Sequence, residues 1–528
     1  MKKTILLFAL VALLLNPLAA GGIDISLELT QTPYKWGGKN GNRFEYIIGE
    51  TSDEYLALRG TYAFYSYDYK IARYEKSTMN LLEVKPLFPK DYIKKGGFKP
   101  TYSWGINQYK EHIYFLFGYK DQSKDNISVY YQKMNDDGSM DGSPDKLLEA
   151  PFIKGSAGWF GGTYSYDSTK FLSVYEVPTK NKERQQYSFH VYNIEGMSLE
   201  FEKDVELPYL DKDVNLIRYD VDNEGNVYGL VQIYEKREKG SKETDNYTYK
   251  IYGYTKESGE AIEYDFDIPN KYINSLIFQV KNGIIYVSGF WGKKNSSDIS
   301  GVYSLRLDAV SGEELVQDVY EFSDEFIEEF YSDKEVDKAD KKGKELEVKT
   351  IVLDYFKIQN DGSAYVVGEQ HYTYTVCYYT GNGTRCVTYY VHNDIVVTKI
   401  DPNGVILWSA KIPKKSQLQN ATGHLSYHLF QKGDDLYFIY YDNQENFDLD
   451  DPKKYARVPY FTKKMDLVCT RINSDGEKEK VLIYNYGDPT WNQLRLSPNE
   501  FQNINGSEIL GQGFVKGKKE VLGRFTVR

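Results

Sequence analysis

The sequence predicts an all-β protein, a β-propeller of four-stranded antiparallel blades. Eight blades are expected, with seven as the alternative. Three observations predict it. A short apolar strand recurs along the chain as Tyr55-Leu56, Ile113-Tyr114, Phe171-Leu172, Val227-Tyr228, Ile285-Tyr286, Ala364-Tyr365, Leu436-Tyr437 and Ile509-Leu510, 56 to 58 residues apart up to Ile285 and 72 to 79 beyond it. A period of this size marks an array of one supersecondary unit. Each period also resolves into four runs of period-two alternation divided by turn residues, the pattern of a propeller blade. Finally, the chain carries 50 tyrosines, and their flat, half-polar rings suit partly buried sheet surfaces.

The fourth period shows the unit in full. Its runs are Asn215 to Val221, Asn226 to Val231, Tyr247 to Tyr254 and Ala261 to Phe266. Asp222 to Gly225 turns the chain after the first run and Lys256 to Gly259 after the third. Seven periods carry four strands. The eighth offers Glu508 to Val515 and Val521 to Val527, and then the chain stops. Ile23 to Thr30 alternates apolar and polar residues and belongs to no complete period. It is the expected outer strand of the last blade, and pairing it there removes two exposed sheet edges.

Residues 1–20 read as a signal peptide. Lys2 and Lys3 precede an apolar run, Ile5 to Leu15, that is too short to span a bilayer comfortably, and Leu18-Ala19-Ala20 ends in small residues. No later apolar run reaches transmembrane length. The mature chain, 21–528, is expected as one propeller domain, monomeric and exported to the periplasm, the cell surface or the medium. The net charge of -11 argues against nucleic acid, whose phosphates need a basic footprint.

Three insertions account for the longer periods: 321–349, 369–393 and 442–462. In the first, Glu325 to Tyr331 predicts a helical turn or two with Phe326, Ile327 and Phe330 facing the body. The remainder, Ser332 to Lys349, reads as a solvated charge run. The second is a hairpin with Gly381-Asn382 at its turn, two residues that tolerate positive φ. That turn sets Cys377 opposite Cys386 at a non-hydrogen-bonded pair, about 4.5 Å between Cα atoms, and an exported protein keeps such a disulfide. Cys469, in the apolar run Met465 to Ile472, is expected as an inert core thiol. The third insertion opens with Asp442, Glu445, Asp448, Asp450 and Asp451. The second and third insertions follow second strands and should share one face of the ring. The first follows an outer strand and need not.

The hairpin register also places His371 opposite His392. Both lie roughly 20 Å along the strand from the cysteines at about 3.4 Å per residue, which excludes a four-ligand zinc site. A two-histidine copper or zinc site at the hairpin base stays open. The opposite face carries Tyr372, Tyr374, Tyr378 and Tyr389, with Val376, Val387 and Val391. It either packs on the neighbouring blade or forms an aromatic binding platform. His424 and His428 lie in one predicted strand, too far apart to chelate. No metal site is assigned. Calcium also stays open, at Asn135 to Gly142 or in the loop from Asp442, and neither matches the regular calcium-loop spacing.

Two third-to-fourth strand turns, Leu307-Asp308-Ala309-Val310-Ser311-Gly312-Glu313 and Ile400-Asp401-Pro402-Asn403-Gly404 through Trp408, resemble the repeat of quinoprotein-type propellers. That pattern is roughly Leu-Asp-Ala-x-Thr-Gly-x-x-x-Trp, and the first turn has Val316-Gln317 where the tryptophan would stand. The eight-bladed members of the family include outer-membrane assembly scaffolds as well as dehydrogenases. The resemblance implies that Asp caps the turn, Gly supplies positive φ and Trp docks on the next blade. Neither adjacent cysteines nor a metal cluster accompanies it, so no quinone cofactor is implied.

The chain has no Gly-x-Ser-x-Gly elbow, His-Glu-x-x-His or phosphate loop. The expected function is non-enzymatic binding of a protein or glycan at the cell envelope or outside the cell. The candidate binding residues are Tyr374, Tyr378, Tyr389, Asp448, Asp450 and Asp451, on the loops of blades five to seven. The alternatives are a carbohydrate-active enzyme (a glycosidase or lyase) at the channel mouth, or a structural envelope scaffold.

Overall fold

In the computed structural model, eight antiparallel sheets follow one another along the chain. The structure describes residues 22–35, 43–63, 66–87, 102–109, 112–121, 126–151, 158–179, 183–234, 247–256, 261–268, 271–293, 296, 298–379, 381, 383–419, 424–449, 451–517 and 519–528. The expected signal peptide, Asn382 and Asp450 lie outside these residues.

Blade one spans Arg43–Pro86, two Tyr102–Pro151, three Trp159–Leu210 and four Val214–Asp265. Blade five spans Tyr272–Glu321, six Ile351–Ile412, seven His428–Asn485 and eight Arg495–Val527. Every repeated dipeptide lies on the second strand of its blade. The reason is visible in blade six. Ala364 and Val366 enter the apolar core shared with blade five, whereas Tyr365 and Val367 enter the core shared with blade seven. A second strand is buried on both faces, so it reads as a short continuous apolar run.

Hydrogen bonds cross all eight seams. Glu50 N donates to Gln108 Oε1 (2.6 Å), Asn107 Nδ2 to Tyr164 OH (3.2 Å) and Asp167 N to Asn223 Oδ1 (3.2 Å). Val280 N donates to Asp220 Oδ2 (2.8 Å), Ile406 N to Asp318 Oδ2 (2.7 Å) and Trp408 Nε1 to Ser474 O (3.1 Å). Leu496 N donates to Tyr441 OH (3.0 Å). The last seam is closed by the N-terminal strand. Ile25–Leu29 pairs antiparallel with Lys519–Val527, from Ile25 opposite Val527 to Leu29 opposite Gly523. Thr30 Oγ1 then donates to Met79 O of blade one (3.2 Å).

The turns that carry the quinoprotein-type resemblance behave as their chemistry requires. Asp308 Oδ1 accepts from Val310 N and Ser311 N, and Gly312 and Gly404 hold φ of +74° and +92°. Trp408 reaches the blade-seven turn through Ser474.

The insertions depart from expectation in one way. The segment after Ser332 is not wholly a solvated run. Its first residues form a second helix, Asp333–Asp340, opened by a capping box in which Ser332 and Glu335 exchange bonds. The hairpin is paired as expected and continues strands two and three of blade six, Ala364–Tyr379 and Thr384–Ile400. The first helix, Asp324–Glu328, buries Ile327 as expected, with Phe326 and Phe330 packed on the same core.

Topology also settles which face the insertions share. In a four-stranded antiparallel blade, the second-to-third turn and the connection from the fourth strand to the next blade lie at the same end. All three insertions therefore leave one face. Lys453 Nζ of the third bonds Asp333 Oδ1 of the first at 2.8 Å, so the charged insertion joins the others.

Candidate functional site

The hairpin leaves the ring beside a short added strand, Ser416–Gln419, which pairs with Tyr389 to His392. Its register places Cys377 opposite Cys386, His371 opposite His392 and Tyr374 opposite Tyr389. Cys377 and Cys386 form a disulfide with Cα atoms 4.0 Å apart. Cys469 is fully buried, which pushes its thiol pKa up.

At the base the His371 and His392 rings stack with centroids 4.0 Å apart. His392 Nδ1 lies 2.5 Å from Glu369 Oε2, and Lys414 Nζ pairs with Glu369 Oε1 at 2.8 Å. Burial pushes the Glu369 carboxyl up, but Lys414 and His392 outweigh it and hold it below its ordinary value. This cluster fixes the hairpin base to blades six and seven, since Ser426 Oγ also donates to Glu369. Among the described residues no group of three or more His, Cys, Asp or Glu is arranged to hold a metal ion. His424 precedes the strand that begins at His428, contrary to the one-strand expectation, and the two bond separately to Leu496 O and Asn503 Oδ1.

The tyrosine face does not pack flat on the next blade. Tyr372, Tyr374 and Tyr378 are 39, 40 and 45% exposed. Tyr374 stacks on Tyr389 with centroids 4.9 Å apart and planes 14° apart. Gln417 Nε2 donates to Tyr374 OH (3.1 Å) and Gln419 Nε2 to Tyr389 OH (3.0 Å), so the added strand holds both rings upright. Val458 N donates to Lys415 O at 2.9 Å, seating the third insertion against this strand. Arg457 thereby lies within electrostatic reach of the Tyr372 hydroxyl.

The acidic candidates are placed differently. Asp448 is exposed. Asp451 caps the turn Pro452–Lys454, accepting from Lys453 N, and pairs with Lys454 at 3.0 Å. Asp442 is buried between Asn446 Nδ2 (2.7 Å) and Lys480 Nζ (3.1 Å). The charged groups beside the tyrosines are thus cations: Arg385, opposite Tyr378 in the hairpin register, and Arg457, near Tyr372. Sequence reasoning missed Arg457, Gln417 and Gln419. The alternation in Ser416-Gln-Leu-Gln419 is their only signal, and four residues are too few to stand out.

Locking the hairpin matters to this surface. Reducing the disulfide, or Cys377→Ser with Cys386→Ser, should loosen the hairpin by about 2–3 kcal/mol while the ring melts unchanged. Hydrogen exchange at Tyr374 to Tyr379 reads the effect, and unaltered protection there would refute it.

The central channel holds a second candidate, a cavity of about 690 Å3 lined by the inner strands of blades three to seven. Asp354 is the only carboxylate among its described lining residues, whereas paired-carboxylate glycoside hydrolysis needs two. Asp354 accepts from Tyr427 OH at 2.8 Å. Channel solvent reaches it, but the protein around it pushes its carboxyl up to about 7, with Glu369 adding to the rise. That value lies above the unfolded one of about 3.9, so the native state keeps a proton the unfolded chain loses. Stability should therefore fall as pH rises from about 4 through about 7. Asp354→Asn should match the wild type only at or below about pH 4 and melt higher than it near pH ~8. Melting curves that shift in parallel at both pH values would contradict this.

No family model matches the chain, and no curated protein does. It is similar to solved propellers. The β-propeller domain of the Trilobed protease from Pyrococcus furiosus is 12% identical over 85% of this chain and 98% of its own, with a TM-score of 0.33. The WD40 domain of SCAP from fission yeast is 9% identical over 95% of this chain and 94% of its own, with a TM-score of 0.38. A europium-containing methanol dehydrogenase is 10% identical over 95% of this chain and 93% of its own, also at 0.38. These likenesses concern fold alone. The strand pairing described above defines the protein as a β-propeller of eight four-stranded blades, weakly similar to the quinoprotein type.

Proposed function

We propose that this is an exported, non-enzymatic binding propeller that engages a protein or glycan partner through the insertion face of blades five to seven. The carrying observation is the row of half-exposed tyrosines on a hairpin pinned at its tip by a disulfide and at its base by Glu369. Such rings present large contact area at little conformational cost, and the pinning removes the ordering cost on binding. A glycan fits best. Sugar rings stack on tyrosine faces, and Gln417, Gln419 and Arg457 stand beside these rings to bond hydroxyls. Lys2 and Lys3 before the run Ile5 to Leu15, together with the disulfide, support export.

A glycan array with the mature protein, repeated with Tyr374→Ala and Tyr378→Ala, tests the reading. Each variant should weaken binding about tenfold, as expected for losing a central aromatic anchor. An array hit that both variants retain at full strength would move the site elsewhere.

A further inference from the structure

The channel chamber contradicts the charge of the protein around it. The chain carries -11 overall, yet the chamber wall presents two cations, Arg218 and Lys357, against a single carboxylate, Asp354, among its described lining residues. Lys357 makes no ion pair or hydrogen bond with any described residue, and burial alone lowers its pKa. Arg218 is likewise lowered by burial, and its one charged neighbour is Asp220. Asp220 is committed elsewhere, accepting from Val280 N at 2.8 Å and Val221 N at 2.9 Å. Asp354, the only carboxylate among the described lining residues, bonds Tyr427 and makes no ion pair with either cation, so the two positive groups are left facing the chamber.

Most of the remaining wall is polar, with Ile277, Phe356 and Ile358 its apolar members. Gln279 and Gln431 line it with Tyr355 and Tyr166. Gln359 also lines it, and its buried Nε2 has no acceptor among the described residues. On the face opposite the insertions, Tyr166 OH reaches across to Ile358 O at 3.3 Å, and Lys281 Nζ sits 3.9 Å from the centre of the Tyr166 ring while donating to Gln359 O at 2.7 Å. That bridge ties blade three to blades five and six beside the chamber.

We propose that the chamber is a binding site for a sugar acid, with the carboxylate held by Arg218 and Lys357 and the hydroxyls by the glutamine amides. The guanidinium fork matches the two oxygens of a carboxylate, and Lys357 supplies a second charge. Tyrosine faces and amide groups suit a polyhydroxylated ring better than an apolar tail. The volume is in the range of small-ligand sites, about 300–1,000 Å3. This site is separate from the tyrosine face and stands or falls independently of it.

Isothermal titration of the mature protein with D-glucuronate, glucose, sulfate and phosphate tests the assignment. Glucuronate should bind and glucose should not. Arg218→Gln and Lys357→Gln should each weaken glucuronate at least about tenfold, and Arg218→Lys should recover part of the loss. Melting curves of the free variants separate these losses from misfolding. Absence of glucuronate binding at millimolar concentration would overturn the proposal. So would variants that melt normally and bind as the wild type does. Sulfate or phosphate binding as tightly as glucuronate would reduce the site to a generic anion site and overturn the sugar-acid assignment.

Discussion

Deleting residues 22–32 should abolish the cooperative unfolding of the ring. The deleted segment supplies the outer strand of blade eight and part of the seam with blade one. Leu27 sits in the core shared by blades seven and eight, with Ile25 and Leu29 packed against it. Thr30 is buried, and its N–H and Oγ1 both bond Leu522 O, while Gln31 N donates to Thr78 O across the seam. Without these groups the edge of Lys519–Val527 is unpaired and the first and last blades lose a shared element. A whole domain is stable by only about 5–15 kcal/mol, so losing one strand and one seam should consume much of it. Scanning calorimetry should show a broad or absent transition. A single transition within a few degrees of the intact chain would disprove the role of the strand. Leu27→Ala, which keeps the strand, should cost only about 2–4 kcal/mol.

The closure was legible because it follows from local signals. Ile23 to Thr30 alternates and lacks a period of its own, and the last period lacks a strand. The cysteine pairing was legible for the same reason, since one turn fixes every facing pair from Tyr379 back to His371. The second helix was legible but overlooked. Ser332 and Glu335 spell a capping box, and the surrounding charges concealed it. The face shared by the insertions was deducible from strand direction alone. The site residues are different. Arg218 and Lys357 occupy ordinary alternate positions of inner strands in blades four and six, and nothing local marks them. Only ring closure brings them to one chamber. Arg457 likewise meets Tyr372 because Val458 bonds Lys415, a contact no period predicts.

The second large effect concerns a buried ion pair at the same closing seam. Arg59, on the second strand of blade one, and Glu520, on the third strand of blade eight, are 2 and 4% exposed. Both guanidinium NH2 groups bond the carboxylate, Nη2 to Oε2 at 2.7 Å, and Nη1 also donates to Tyr74 OH at 2.7 Å. Burial alone would lower the pKa of Arg59, but Glu520 and Tyr74 outweigh it and hold it above its usual value. Arg59 therefore stays charged, and the weight of the pair lies in what remains when one member is removed. Glu520→Gln leaves a guanidinium buried without its counter-charge and should destabilise the ring by about 3–5 kcal/mol. Arg59→Met with Glu520→Leu removes both charges and keeps the volume, so the double variant should recover most of that loss. Denaturant unfolding of the two single variants and the double variant measures the coupling. If Glu520→Gln unfolds with the wild type, solvent reaches this seam and the ring is held by the N-terminal strand alone. If the double variant is as unstable as the single one, the seam depends on the bidentate geometry itself rather than on avoiding an unpaired charge.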